Sequence, residues 1–523
     1  MLMLLQPTIL RHNNRRKMLR SSIISILFLS ALLSVQYSSA QSFEEYRKMM
    51  DAEFGKFKTQ SDNQYNDFYK EINTKYAEFM KLAWEEFKTE PVVHPPKPNP
   101  PIQPIFDPKK DVSAQTEVPK PRHIRFVKEL INKVFPAKPI PEEPIAVLED
   151  QDKVVEEVRV VEEQIEPLDM DFFGEKCTFR VNKGAICHTM EDCKEANVSK
   201  YWAKLAKGKI NPLINDCLAV REKLNLCDWG YWQLVKSLSH TIYDENNKRE
   251  AIVLQTYIMT QSGYKVRLGR IGAELVILIS SDSTIYETSY LIIDGTKFYS
   301  MDKSGSMINV CNFQFPGESV FSLQMNQLPL FPVDSISGQE LHSPKLGEKR
   351  VKINHNRNMI NFLDTYPQCS IDNFTHASLD SLSKQVLYPA LKDVIKGKTE
   401  EESANILIDF VQSAFKYKVD DEQFGQERTL FANETLFYPF SDCEDRSLLF
   451  ATLIRELLGL KVVLLDYPEH IATAVRFNQD IEGDYMVING EKYLVCDPTY
   501  IGADIGNCMP MFQEIAASVI NIE

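Results

Sequence analysis

The sequence predicts an α+β protein in which a helix followed by an antiparallel sheet occurs twice, preceded by a long N-terminal helix and a proline-rich spacer. Three observations predict this class. A helical stretch at 443–458 precedes short apolar strands, an upstream segment repeats that order, and prolines concentrate in one stretch. The chain of 523 residues is too long for one compact domain, because domains average roughly 150 residues.

Composition excludes several classes of protein. The chain has 59 Lys and Arg against 73 Asp and Glu, a net charge of −14, which opposes binding to nucleic acid. A hydrophobic fraction of 44% fits neither wholesale disorder nor a protein with many membrane spans. Ten cysteines without a CxxC pair, and nine histidines without an HExxH motif, form no recognisable zinc site. We therefore expect no metal and no cofactor.

The first forty residues have the three regions of a secretory signal peptide. Residues 11–20 are basic, residues 21–35 are apolar, and small residues end at Ala40. We predict cleavage after Ala40 and a secreted or periplasmic protein. Met18 is an alternative start that keeps all three regions, and an uncleaved anchor is the alternative to a signal peptide.

Aromatic residues recur every eleven positions between residues 41 and 90. The two series are Phe43, Phe54, Tyr65, Tyr76 and Phe87, and Tyr46, Phe57, Phe68 and Phe79. An eleven-residue period keeps these side chains on one face of a long helix. That face serves self-association or docking on a partner, or it packs on the protein itself, and the sequence leaves both open.

A proline-rich and acidic linker is predicted over residues 91–171. Fourteen of the 27 prolines lie between Pro91 and Pro144, and an acidic run follows at 149–166. Proline lacks the amide hydrogen and fixes φ, so we expect a semi-rigid extended spacer. On this basis, deletion of residues 41–144 is expected to leave the globular part folded.

The second globular unit, residues 376–523, shows the clearest element order. Helices are predicted at 384–415 and 443–458, followed by strands at 460–466, 470–477, 484–488 and 491–496. The last two strands flank Asn489-Gly490, a strong hairpin-turn dipeptide.

A first unit, residues 172–312, gives the same order when shifted by 196 residues. The identities are Thr256 with Thr452, Ile258 with Ile454, Gly263 with Gly459, Lys265 with Lys461, Val266 with Val462, and Leu268 with Leu464. We interpret this as an internal duplication, although helix-then-strand units share apolar patterns in any case. Residues 313–375 between the units are predicted to form a small β connector.

Three residues of the second unit lie at element ends. Cys443 begins a helix, where unpaired amides and the helix dipole favour a thiolate with a pKa below the ordinary value of about 8.5. His470 begins a strand and is the only histidine after His376. Asp497 ends the hairpin and is able to orient an imidazole. Cys443 and His470 are 27 residues apart, and His470 and Asp497 are separated by the same distance in sequence.

The segment FSDCEDRSLLFATLIRELLGLKVVLLDYPEHIATAV, followed by YLVCDPTY, resembles the transglutaminase-like cysteine peptidase superfamily over residues 384–510. The resemblance implies a papain/transglutaminase-like fold and a catalytic triad of Cys443, His470 and Asp497. It covers the first unit less well. There the nucleophile and histidine positions hold Asn247 and Glu274, while Asp302 agrees, so that unit is expected to be a chemically silent copy.

These residues predict an exported cysteine-dependent acyl-transfer enzyme that hydrolyses peptide or isopeptide bonds in a protein, peptide or cell-wall peptide. The alternatives are transglutaminase-type crosslinking and a non-catalytic extracellular scaffold, since the same fold supports each. The amide of Cys443 is one expected oxyanion donor. The weak candidates for the second donor are Gln423, Gln426 and Tyr438. Cys496 is interpreted as structural, with Cys508 as a candidate disulfide partner.

Overall fold

The computed structural model describes residues 68, 70–96, 104–109, 111, 117–126, 165–186, 189–244 and 247–522. The predicted signal peptide, the aromatic series up to Tyr65, and the acidic run up to residue 164 lie outside the described residues. Within these ranges, no helix is both long enough and apolar enough to cross a membrane.

Contacts divide the chain into two units. The larger unit comprises Asn73–Ala137 and Gln151–Glu523, and the elements discussed below belong to it from Asn73 onward. Of the other unit, Met1–Ile72 and Lys138–Asp150, the structure describes only residues 68 and 70–72.

The described chain alternates helical and strand regions. The longer helices are α1 (residues 70–80), α2 (Glu195–Lys207), α3 (Asn211–Lys223), α4 (Asp228–Ile242), α5 (Lys248–Gln261), α6 (Arg357–Asp364), α7 (Ser381–Ile395), α8 (Glu400–Ala414) and α9 (Cys443–Leu453). The strands are β1 (Glu85–Lys88), β2 (Ile124–Phe126), β3 (Ile165–Phe172), β4 (Glu175–Asn182), β5 (Val266–Ile271), β6 (Glu274–Ser281), β7 (Tyr290–Ile293), β8 (Thr296–Ser300), β9 (Met307–Cys311), β10 (Ser335–Leu341), β11 (Val351–Asn356), β12 (Lys416–Tyr417), β13 (Phe440–Ser441), β14 (Lys461–Tyr467), β15 (His470–Arg476), β16 (Tyr485–Ile488), β17 (Glu491–Cys496) and β18 (Ser518–Asn521). This is a mixed α+β structure, as the sequence predicts.

Two six-stranded sheets share one strand order. The N-terminal sheet runs β1-β9-β5-β6-β8-β7, and the C-terminal sheet runs β2-β18-β14-β15-β17-β16. All pairs are antiparallel except β2 with β18, which is parallel. The core helix before each sheet, α5 or α9, is followed by strands that correspond in order. An internal duplication predicts that the two sheets have the same strand order. The duplication itself remains an interpretation.

The hairpin turns explain why these strands pair in this register. Asn489 and Gly490 join β16 to β17 with φ values of 51° and 82°, and Asp294 and Gly295 join β7 to β8 with 49° and 74°. Positive φ at both central positions defines the turn whose twist matches an antiparallel pair, and glycine adopts it without a Cβ clash. The register runs from the Ile488–Glu491 pair outward.

Helix α9 lies in the protein core, and all its residues are buried. It continues as a π-helical turn, Ile454–Leu458, and ends at Gly459, whose φ of 67° is left-handed. Ser447 Oγ donates a hydrogen bond of 3.0 Å to the carbonyl oxygen of Ile471, which ties the first turns of α9 to β15. The position of Cys443 relative to the C-terminal sheet follows from this contact.

The N-terminal aromatic helix ends at residue 80 rather than at 90. Phe87 lies in β1, an edge strand of the N-terminal sheet. Tyr76 is 2% exposed and packs edge-on against Trp202 at 4.5 Å between ring centroids. Over residues 70–80 the aromatic face therefore packs on the protein itself. The self-association proposed for this helix is untested, and its earlier residues lie outside the described ones.

The predicted linker is also partly structured. It contains β2 and nearly all of β3, which pairs with β4. Tyr500 Oη donates to Asp111 Oδ2 at 2.8 Å, and Phe106 packs on Tyr500 with centroids 5.5 Å apart. These contacts oppose the expectation that the globular part stays folded when residues 41–144 are deleted, because β1 and β2 are strands of the two sheets and α1 packs on Trp202.

Two further predictions need correction. The helix predicted at 384–415 is two helices, α7 and α8, because Gly397 between them has a φ of 77°. The connector at 313–375 contains the hairpin of β10 and β11, as expected, and also helix α6.

Candidate active site

The first residue of α9 is Cys443, which is 0% exposed. Strand β13 ends two residues earlier and pairs in parallel with β12, which fixes the direction in which the chain enters the helix. The backbone N–H of Asp442 donates to Asp445 Oδ2 at 3.4 Å and so occupies one amide before the helix. The nucleophile predicted from the sequence is thus at a helix N-terminus, as expected.

His470 and Asp497 form a buried pair. His470 Nε2 lies 2.8 Å from Asp497 Oδ2, and the two residues are 1% and 3% exposed. Asp497 is held in turn, since its Oδ1 accepts from the Thr499 amide at 2.9 Å and its carbonyl oxygen from Gln412 Nε2 at 3.2 Å. Because the carboxylate accepts the Nε2 proton, Nδ1 carries the lone pair, and Nδ1 has no hydrogen-bond partner among the described residues.

Aromatic rings cover His470. The Phe512 ring stacks on the imidazole with centroids 4.8 Å apart and planes 8° apart, and Tyr467 is nearly parallel at 6.4 Å. Phe512 lies in a short 3-10 helix, Pro510–Phe512, between β17 and β18. Phe512 therefore covers the imidazole of His470, and we name the segment to which it belongs, residues 498–517, the covering loop.

Cys443 and His470 do not form a hydrogen bond with each other. The Cys443 thiol is 3.2 Å from Glu444 Oε2 and also interacts with the backbone N–H of Ile471. His470 lies on the same strand face as Ala472 and Ala474, which pack in one cluster with Phe512. The structure therefore joins His470 to Asp497 and places the thiol against the neighbouring backbone of β15.

The electrostatics oppose the thiolate that the sequence predicts. Burial first, and then the Glu444 and Asp442 carboxylates, raise the pKa of Cys443 well above its ordinary value. Burial likewise raises the pKa of Asp442 and Asp445, and it raises that of Asp420 to about 10. In this conformation the thiol is protonated at neutral pH, because like charges and desolvation outweigh the helix dipole.

The two candidate structural cysteines are not joined. Cys496 and Cys508 are both buried free thiols, so the disulfide considered between them is absent. Asp497 and Cys496 are neighbours and point to opposite faces of the strand end. Cys508, a residue of the covering loop, packs in one cluster with Val495 and Phe512, and Cys496 is not part of that cluster. This separation by faces accounts for the missing bond.

The candidate second oxyanion donors lie in different surroundings. Gln426 is exposed, and Tyr438 packs against Phe424 with centroids 5.3 Å apart. Gln423 ends the short helix Asp420–Gln423, and its Oε1 is buried without a partner among the described residues. Neither a hydrogen bond nor an electrostatic contact with Cys443 favours one of the three.

The corresponding positions of the first unit do not form a constellation. Glu274 pairs with Lys303, and Asp302 Oδ1 lies 2.6 Å from Lys236 Nζ. Asn247 precedes α5 and donates its amide to Asp244 Oδ1 at 2.7 Å. These side chains form separate surface pairings, and the chemical silence of the first unit stays a prediction.

Three buried carboxyl groups next to the thiol were not expected from the sequence. One oxygen of each of Asp420, Asp442 and Glu444 lies within 4.8 Å of the others. Asp442 and Glu444 are the chain neighbours of Cys443, so the sequence alone could have indicated that two carboxyl groups lie near the thiol. Asp420 lies more than twenty residues upstream, and no spacing rule links it to them.

The site thus contains a buried imidazole–carboxylate pair, a nearby buried thiol at a helix start, and a cluster of carboxyl groups around that thiol. Comparison with protein-family models, curated proteins and solved structures found no match to this chain.

Proposed function

We propose that the chain is an exported, transglutaminase-like cysteine enzyme that hydrolyses peptide or isopeptide bonds, with Cys443, His470 and Asp497 as its triad. The observation that carries the proposal is the buried 2.8 Å contact of His470 Nε2 with Asp497 Oδ2, which leaves Nδ1 unpartnered within the described chain. A neutral imidazole held in one tautomer by a carboxylate is the arrangement of a general base. The core helix α9, backed by antiparallel strands, supports the papain/transglutaminase-like fold.

In the proposed reaction, the Cys443 sulfur attacks the carbonyl carbon while its proton passes to His470 Nδ1. The oxyanion accepts a hydrogen bond from the Cys443 amide. The imidazolium then protonates the leaving amine as the C–N bond breaks, which leaves a thioester. Water attacks the thioester with His470 as base, and the acid product and the free thiol are released.

This reaction requires the closed site to open. The covering loop holds Phe512 on the imidazole, and the thiol has 0% exposure. We propose that displacement of the covering loop admits the substrate and lets the imidazole turn toward the thiol. Water entering beside Cys443 also reduces the desolvation that raises its pKa.

A non-catalytic scaffold is the second candidate. The closed site, the protonated thiol and the absence of a Cys443–His470 hydrogen bond favour it. Iodoacetamide labelling separates the two candidates, because an active enzyme must expose Cys443 to a small reagent at neutral pH.

The test is a screen of peptides and cell-wall fragments with the wild-type protein and the Cys443→Ala variant. The matched control is Cys496→Ala, which removes another buried thiol close to the site. We expect the Cys443→Ala change to abolish turnover and the control to retain it. A fluorescent primary amine added to the assay distinguishes transfer to an amine from hydrolysis. Full turnover by Cys443→Ala would contradict the proposal.

A further inference from the structure

The turn that follows β17 is bonded to one side-chain amide. Gln412 lies on α8 and is 2% exposed. Its Nε2 donates to the carbonyl oxygens of Asp497, Tyr500 and Ala503 at 3.2, 2.8 and 3.0 Å. Its Oε1 accepts from the Gly502 amide at 3.2 Å. Carbonyl oxygens on one side and an N–H on the other determine the orientation of the amide group. Both ends of the amide are therefore bonded to this turn.

Asp497 needs such support because the sheet does not supply it. The ladder between β15 and β17 ends at Cys496, one residue earlier. The Asp497 carbonyl oxygen accepts instead from Gln412 and from the Tyr500 amide, the latter at 3.2 Å. An Asp side chain has only two torsions, so the position of its carboxylate depends closely on its backbone. Movement of the turn therefore moves the Asp497 carboxylate relative to His470.

Gln412 is also bonded to the helix that carries the thiol. Its carbonyl oxygen accepts a hydrogen bond of 3.1 Å from Arg446 Nη1. Arg446 is fully buried and lies on α9, three residues after Cys443. Buried hydrogen-bond networks whose members are satisfied make their surroundings rigid. Gln412 thus connects the first turn of α9 to Asp497, through its backbone on one side and its side chain on the other.

We propose that Gln412 is a positioning residue that keeps the Asp497 carboxylate beside His470. When the part of the covering loop that carries Phe512 moves to admit a substrate, Gln412 holds the beginning of that loop, so Asp497 stays in place. The catalytic consequence rests on the proposed function, in which His470 is the general base. A displacement of about 1 Å in a site can lower a rate about 100-fold. Loss of the Gln412 amide should therefore affect the chemical step.

The first test uses the full-length wild-type protein and needs no substrate. NMR measures the exchange with water of the His470 imidazole N–H and of the Gln412 side-chain N–H protons, each corrected for its intrinsic rate. We expect protection equal within about twofold, because one opening of the turn breaks both contacts. Protection of His470 at least about tenfold greater than that of Gln412 would overturn the inference, since Asp497 would then stay on His470 without the amide.

The second test compares Gln412→Met with the matched control Gln255→Met. Gln255 is fully buried on α5 and donates from Nε2 to Ser239 Oγ at 2.8 Å, so the control also loses a buried amide. In Gln412→Met, we expect protection of the His470 N–H to fall at least about tenfold. We expect kcat to fall about 100-fold, with KM within about twofold of the wild type. Gln255→Met should keep the wild-type protection and kcat, even where its Tm falls.

Unchanged protection of the His470 N–H in a folded Gln412→Met protein would overturn the inference. An equal loss of protection in Gln255→Met would also overturn it, because the effect would then be general destabilisation. If the wild type hydrolyses no peptide, the proposed function fails, while the exchange measurements still decide the role of Gln412. The two failures are therefore distinguishable.

Discussion

His470 and Asp497 show which parts of a site residue types and spacing predict. Each lies at the end of a strand, and antiparallel pairing of β15 with β17 brings the two strand ends together. Their contact therefore follows from the topology. The protonation of Cys443 does not, because it depends on burial of the thiol and on the carboxyl groups of Glu444 and Asp442, which raise its pKa.

Phe512 is the residue whose removal should open the site. In Phe512→Ala, the closed arrangement loses a buried ring, at a cost of about 3 kcal/mol. If labelling of Cys443 occurs from the open form, its rate at pH 7 should rise about 100-fold, because about 1.4 kcal/mol corresponds to tenfold. The measurement is iodoacetamide labelling of Cys443 followed by mass spectrometry.

Met511 gives the matched control for that experiment. It is 59% exposed and adjacent to Phe512, so Met511→Ala should change the labelling rate by no more than about twofold. Equal labelling of Phe512→Ala and the wild type would show that Phe512 does not close the site.

The burial of His355 leads us to expect that the protein loses stability in acid. It is 0% exposed, neither ring nitrogen has a partner among the described residues, and burial lowers its pKa from 6.5. As pH falls below 6.5, the unfolded chain binds a proton that the folded chain resists. The unfolding free energy should therefore fall by up to about 1.4 kcal/mol per pH unit.

In the variant His355→Leu, the unfolding free energy should depend less steeply on pH, because the contribution of His355 is gone. Urea unfolding between pH 7 and pH 5 measures this dependence. His240, which is exposed, provides the control His240→Leu, which should keep the wild-type slope. If His355→Leu also keeps it, His355 is not the group responsible.

The secondary structure elements were predictable where local sequence determines them. The Asn489-Gly490 turn and the alternating strands beside it gave the β16–β17 hairpin, and the residues of α9 gave a buried helix. Strands β2 and β18 were not predicted, because such short strands depend on partners far along the chain. The end of α1 was also missed, since an aromatic period continues from helix into β1 without a change in composition.

We expect helix α1 to contribute to the stability of the protein, although it precedes the proline-rich segment. Tyr76 contacts Trp202 and Phe313, so Tyr76→Ala should lower the unfolding free energy by about 3–5 kcal/mol. Lys75 is exposed on the same helix, and Lys75→Ala should stay within about 0.5 kcal/mol of the wild type. Urea unfolding checks both variants, and equal midpoints would show that α1 contributes nothing to the core.

For the molecule as a whole, the two sheets share a strand order, but the first unit has Asn247 and Glu274 at the positions of Cys443 and His470. The double change Asn247→Ala and Glu274→Ala should leave turnover by Cys443 on a short substrate unchanged, because both side chains form separate surface pairs. Rates on a short and a long substrate, with melting curves as the folding control, check this. Loss of turnover on the short substrate with an unchanged Tm would mean that the first unit takes part in catalysis.

One chain segment supplies an outermost strand to each sheet: β1 beside β9 and β2 beside β18. Without it, β9 and β18 would become the edges and expose unpaired N–H and C=O groups. Such groups are templates for strand addition between molecules. A protein cleaved after residue 126 and stripped of this segment is therefore expected to aggregate through two surfaces per molecule, which permits open-ended polymers and not only dimers.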